Sequence, residues 1–188
     1  MMKKRILVLI ISAILSISVL GCSTEEKFVG SKDTAGFNYL MEVYKSVEEI
    51  KLESDLIVIA SYSSKPTERC NKDETLGTES YWSTYSMNIE KVYKGDVSEG
   101  SVITFGQNGK PDSDEYETKI KKDQRYLLFL FQKDTELTNG EIIYDAAGAE
   151  QGIVEIKENN KLYSYYDIGI MPEYDGSDFV KLEDQIIK

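Results

Sequence analysis

Six consecutive apolar residues, Tyr126-Leu127-Leu128-Phe129-Leu130-Phe131, constrain the fold of this chain more than any other stretch. A strand points successive side chains to opposite faces, so a run without polar alternates must be covered on both. The segment Arg125 to Gln132 is therefore expected to be a central strand. Leu56-Ile57-Val58-Ile59-Ala60, bounded by Ser54-Asp55 and Ser61, has the same character and reads as a second buried strand. Tyr81 to Tyr93 behaves differently. Tyr85, Met87 and Ile89 fall on one face and Thr84, Ser86, Asn88 and Glu90 on the other, the pattern of a half-buried strand. Its phase shifts at Val92, where a bulge would let the strand bend.

The remaining segments follow the same logic. Ser101 to Phe105 is a strand, and Ser63 to Glu79 (with Pro66 and Gly77) and Gly106 to Glu117 read as polar loops. Thr118 to Asp123 is expected to form one helical turn. Asn139-Gly140 signals a turn before the strand Glu141 to Tyr144. Gly152 to Ile156 and Lys161 to Tyr166 flank Glu158-Asn159-Asn160 as a hairpin. Asn38 is expected to cap a helix running to about Glu53. Ser46-Val47-Glu48-Glu49 has the form of a capping box, a point at which that helix can restart. Asp178 to Ile187 reads as a short amphipathic helix with Phe179, Leu182 and Ile186 on one face. The result is a mainly β chain of about seven strands with helices only at its ends, closed or nearly closed into an antiparallel barrel.

The first residues carry an address. Lys3-Lys4-Arg5 precedes the apolar run Ile6 to Leu20, and Gly21-Cys22 follows at once. A positive start, an apolar stretch and a small residue before the cut are the parts of a secretory signal peptide. The run falls short of the roughly twenty residues that cross a bilayer as a helix. Val19-Leu20-Gly21-Cys22 resembles the lipobox of bacterial lipoproteins, in which the Cys thiol receives a diacylglyceryl group and the chain is cut before it. Leu20 stands where that family more often has a small residue. The alternatives are an ordinary secreted protein with a chance Cys, or an uncleaved anchor. The resemblance implies a signal peptide over 1–21, a flexible tether over 22–37 and one domain over 38–188. It also implies localisation at the cell membrane, lipid-anchored on the extracytoplasmic face through Cys22. Two buried acyl chains hold firmly where one is marginal.

Ser54 to Ile59, Ile89 to Asp96 and Arg125 to Leu130 recur in the order found in the domain shared by netrin C-terminal modules and tissue inhibitors of metalloproteinases. The chain is most similar to small Gram-positive lipoproteins carrying such phrases. That resemblance spans roughly Ser46 to Tyr166 and implies an OB-like Greek-key barrel with short flanking helices. It departs at Gln124-Arg125, where a Gly is usual. It does not bring the inhibitor mechanism with it. Those inhibitors chelate zinc through a free N-terminal Cys amine and its carbonyl, whereas Cys22 would carry lipid, well ahead of the first strand.

Chemistry is limited by what is missing. The chain has no histidine, which removes Ser-His-Asp and Cys-His nucleophilic sites and histidine-dependent metal sites. A formal charge of −11, more negative still without Lys3, Lys4 and Arg5, repels phosphate backbones, so no nucleic-acid partner is expected. Cys70 is the only other cysteine and would have no intrachain partner. Asp112-Ser113-Asp114-Glu115 with Glu117 is the densest acidic cluster. Asp112, Asp114 and Glu115 are weak candidates for a cation, because Tyr116 and Glu117 stand where an EF-hand loop needs an oxygen ligand and a glycine. Thirteen tyrosines are present. Tyr163 and Tyr165 share a strand face, and with Trp82 they are the candidate ligand-binding residues. The expectation is a monomeric, non-enzymatic binding module for a peptide, protein or glycan, needing no cofactor. The alternatives are a carboxylate-dependent hydrolase and a cation-dependent surface adaptor.

Overall fold

The computed structural model describes residues 43–73, 77–111, 119–135, 138 and 140–188. The expected signal peptide, the tether, Cys22, Asn38, the acidic cluster 112–117 and Asn139 lie outside them. The strands are β1 (Leu56–Ser61), β2 (Thr67–Asp73), β3 (Thr78–Lys94), β4 (Val102–Asn108), β5 (Arg125–Gln132), β6 (Tyr144–Ala146), β7 (Ile153–Ile156) and β8 (Leu162–Ser164). Two short helices, α1 (Val47–Glu53) and α2 (Phe179–Ile187), flank them.

Five of these strands close a barrel in the order β1-β3-β4-β6-β5, with β5 returning to β1. The chain is mainly β and OB-like, as expected. Every pairing in the ring is antiparallel except β4 with β6, joined in parallel at Phe105 and Tyr144. β7 extends the sheet from β5, and β8 pairs with β7.

β5 shows why its sequence has no polar alternates. Tyr126, Leu128 and Leu130 point into the barrel with Leu56, Val58 and Ala60 of β1. Leu127 and Phe129 point the other way, with Ile57 and Ile59, into a second apolar layer. Val47 and Ile50 of α1 and Leu182 and Ile186 of α2 close that layer from outside. Phe131, at the end of the run, is 38% exposed and lies beyond the cover. β3 also follows its pattern, with Tyr85, Met87 and Ile89 inside and Ser86, Asn88 and Glu90 outside, although Thr84, expected with the outer set, is buried. Its register against β1 slips twice, leaving Tyr93 and Glu90 as extra residues on either side of Val92. These bulges bend a seventeen-residue strand so that it serves the ring at one end and β2 at the other.

Four local expectations need correction. The segment read as a loop over Ser63 to Glu79 contains β2, hairpinned onto β3 from Thr67↔Thr84 to Asp73↔Thr78. The described side chains of this ribbon reach no deep core, so no apolar period marks it. The helix before Glu53 does not include Val43 to Lys45, and α1 starts only after Ser46. There the Ser46 hydroxyl accepts from the Glu49 N–H at 3.1 Å, and Glu49 reaches back to the Lys45 N–H. No helical turn forms over 119–123, where Ile120 is buried in the barrel core and Asp123 takes a positive φ of 59°. The strand expected at Glu141 to Tyr144 begins only at Tyr144. The hairpin between β7 and β8 is present, with the Lys157 N–H donating to the Lys161 carbonyl at 2.8 Å.

Candidate functional site

β7 places Val154 and Ile156 in the outer apolar layer, and strand alternation turns Glu155 to the opposite face. The carboxylate is held there with only 5% of its side chain exposed. Both oxygens are engaged. Tyr165 donates its hydroxyl to Oε2 at 2.6 Å, and the Lys157 ammonium meets Oε1 at 2.6 Å. A buried carboxylate is costly unless paired in this way. Burial, and next the bond to Glu155, push the Tyr165 hydroxyl far above its usual range, so it remains a neutral donor.

Tyr163 stands beside this cluster. Its ring meets that of Tyr165 edge-on at 5.0 Å, and the Lys157 ammonium lies 4.8 Å from its centre. Tyr163 is 42% exposed. The two rings and Glu155 line an open depression of about 800 Å³, with Lys121, Gln124 and Lys161 among its other walls. Tyr126 lies in the barrel core that Tyr165 packs against, its hydroxyl accepting from the Lys121 N–H at 2.8 Å. Burial raises the Tyr126 hydroxyl from 10.0 to about 12, while the Lys121 bond opposes that rise.

The strand expected over Lys161 to Tyr166 ends at Ser164, so Tyr165 lies just past β8, yet its ring still meets that of Tyr163. Glu155 and Lys157 were not singled out, although a charged pair at i, i+2 ending an otherwise apolar strand is the signal that marks them. In chemical terms the groove offers an aromatic surface, an ammonium next to it and hydrogen-bonding groups around it. Glu155 is already committed to Tyr165 and Lys157.

Trp82 does not join this groove. It sits near the root of the β2/β3 ribbon, with the Arg69 guanidinium and the Lys133 ammonium each 5.3 Å from its ring. A Cβ added to Gly106 would come within 2.8 Å of its ring, so the indole lies directly on that glycine. Its ring N–H is buried and has no acceptor among the described residues. Arg69 is bonded to Glu141 at 2.9 Å and Lys133 to Asp145 at 2.7 Å, so both cations near Trp82 are already paired.

Asp112, Asp114 and Glu115 lie outside the described residues, and among those described no group of three metal-ligating side chains assembles. Cys70 is exposed on β2 and unbridged. No described helix is long and apolar enough to cross a membrane. Compared with known proteins, the chain matches no protein-family model and has no significant similarity to a curated sequence.

Proposed function

We propose that this chain is a lipid-anchored extracytoplasmic module that binds a glycan or peptide in the groove beside Tyr163 and Tyr165 and performs no catalysis. The observation that carries the binding reading is the Tyr163–Tyr165 pair at the wall of an open groove, one ring exposed and the other fixed by a buried carboxylate. Aromatic faces accept sugar rings and flat side chains, and Lys157 favours a ligand bearing an acceptor or negative charge. Binding by Tyr163 costs little ordering, because Tyr165 and Lys157 already restrain its ring. The anchoring half of the proposal rests on Val19-Leu20-Gly21-Cys22.

Each half has its own test. Cys22→Ala is expected to abolish fatty-acid labelling and release the protein into the medium, and labelling that survives overturns the anchor. Titration of the protein with soluble glycan oligomers and peptides is expected to give saturable binding by one class. Tyr163→Ala should weaken that binding about tenfold without changing the melting temperature. Absence of saturable binding, or binding indifferent to Tyr163, overturns the groove.

A further inference from the structure

The β2/β3 ribbon leaves one strand edge unpaired. Among the described residues β2 pairs with β3 alone. An open, extended edge is a template for another strand, and natural proteins generally cover or blunt it. Here it spans the seven residues Thr67–Asp73, and Cys70 is the middle one.

The ladder shows which backbone groups face outward. The Gly109 N–H donates to the Tyr81 carbonyl at 2.9 Å, so Tyr81 directs its backbone polar groups toward β4. Tyr81 is the register partner of Cys70. Cys70 therefore occupies a non-hydrogen-bonded position against β3 and turns its own N–H and C=O to the open side. By alternation Glu68 and Lys72 do the same. The open edge presents three donors and three acceptors, symmetrically arranged about Cys70.

We propose that this edge pairs antiparallel with the same edge of a second copy of the chain, two-fold about Cys70. Three observations converge on that occupant. A two-fold at Cys70 matches every outward donor to an acceptor, giving six backbone hydrogen bonds. It sets Glu68 opposite Lys72 of the other copy twice, so opposite charges meet across the strands. Lys72, exposed and holding Glu79 at 2.7 Å, then sits between two carboxylates. The pairing also consumes both edges, so it closes as a dimer rather than growing into a fibre. It replaces the monomer expected from the sequence, where the ribbon was read as a loop, and it is independent of the groove.

Two-fold pairing brings the exposed Cys70 thiols face to face. Hydrogen-bonded antiparallel partners have Cα atoms about 5.5 Å apart, within the range a disulfide spans. The pair is therefore a direct reporter. With oxidised glutathione as oxidant, the two thiols lose two protons and two electrons to form one S–S bond, and glutathione leaves as two thiols.

The full chain in detergent, treated with oxidised glutathione, is expected to give a disulfide-linked dimer on a non-reducing gel. Cys70→Ser should abolish that bridge, which separates it from any bridge through Cys22. Sedimentation equilibrium of Cys70→Ser should still show a dimer. Adding Glu68→Lys to that protein should weaken association about tenfold, and adding Lys72→Glu as well should restore it. A Cys70→Ser protein that sediments as a monomer at every concentration overturns the proposal. Association unchanged by Glu68→Lys, or not recovered by the charge swap, overturns it equally.

Discussion

The barrel has two kinds of wall. On one, β1 and β5 are apolar on both faces, because α1, α2 and the turns around β7 lay a second core over them. On the other, β3 and the start of β4 keep one face in solvent, with Ser86, Asn88, Glu90 and Val102 exposed. The covered wall carries the groove at the β7/β8 margin, and the open wall carries the ribbon. The two therefore do different work. Double burial fixes β7 firmly enough to hold a carboxylate out of water, whereas a single-faced strand is free to run past the barrel and offer an edge.

The largest expected difference lies in the cores. Phe129 is fully buried between β5 and the helices. Phe129→Ala should cost about 3–5 kcal/mol in urea denaturation, as the cavity left under α1 and α2 cannot collapse onto a rigid sheet. Asn88→Ala, on the solvent face of β3, should stay within about 0.5 kcal/mol. Similar costs at the two positions would erase the distinction between the walls.

Alkaline pH separates the walls through two tyrosines raised for different reasons. Tyr126, on the covered wall, is pushed to about 12 by burial. Tyr81, on the ribbon, is raised chiefly by its hydrogen bond to Glu79, an exposed pair that water screens. A tyrosine raised on folding contributes stability that is fully present below pH 10 and is lost as pH climbs toward the folded value. For Tyr126 that loss is of the order of 2–3 kcal/mol between pH 10 and 12. Tyr126→Phe should therefore lower stability at pH 7, by leaving the Lys121 N–H without its acceptor, yet flatten the fall above pH 10. Tyr81→Phe should flatten the alkaline fall by much less, because its partner is exposed and water competes for the bond. Denaturation curves at pH 7, 10 and 11 read both effects, and equal flattening by the two variants would contradict the assignment of causes.

What was readable in the sequence follows the same division. The doubly buried strands announce themselves by unbroken apolar runs, and β3 by its alternation, because burial imposes the pattern. The closure of the ring and the flanking helices followed from the count and order of those elements. β2 was illegible because its side-chain ties to β3 are polar, Lys72 with Glu79 and Arg69 over Trp82, and Thr67-Glu68-Arg69-Cys70 carries no trace of which side faces a partner. The groove was half legible. Tyr163 and Tyr165 show their spacing, but the role of Glu155 depends on Tyr165, just past the end of β8, folding back over β7, a contact between positions ten apart. Nothing local reveals that Gly106 lies beneath the Trp82 ring, which places Trp82 apart from the Tyr163 and Tyr165 groove.

The covering layer depends on two short helices that begin in different ways, and this gives the smallest and most discriminating prediction. α1 is seven residues long, too short to persist without its packing and its cap. Ser46 supplies that cap, and Glu49 accepts from the Lys45 N–H one residue ahead of it. α2 has Asp178 at the corresponding place, but no side-chain bond to the helix. Its start is held instead by the Phe179 N–H donating to the Asn160 carbonyl at 2.9 Å and by the exposed Lys161–Asp178 pair. Ser46→Ala should therefore cost about 1 kcal/mol. Asp178→Ala should cost no more than about 0.5 kcal/mol, since a surface pair is weak and the backbone tie survives. Because α1 and α2 both seal the layer over Ile57 and Phe129, combining Ser46→Ala with Phe129→Ala should cost less than the two separately. Strict additivity would mean that the helices cover the wall without contributing to its rigidity.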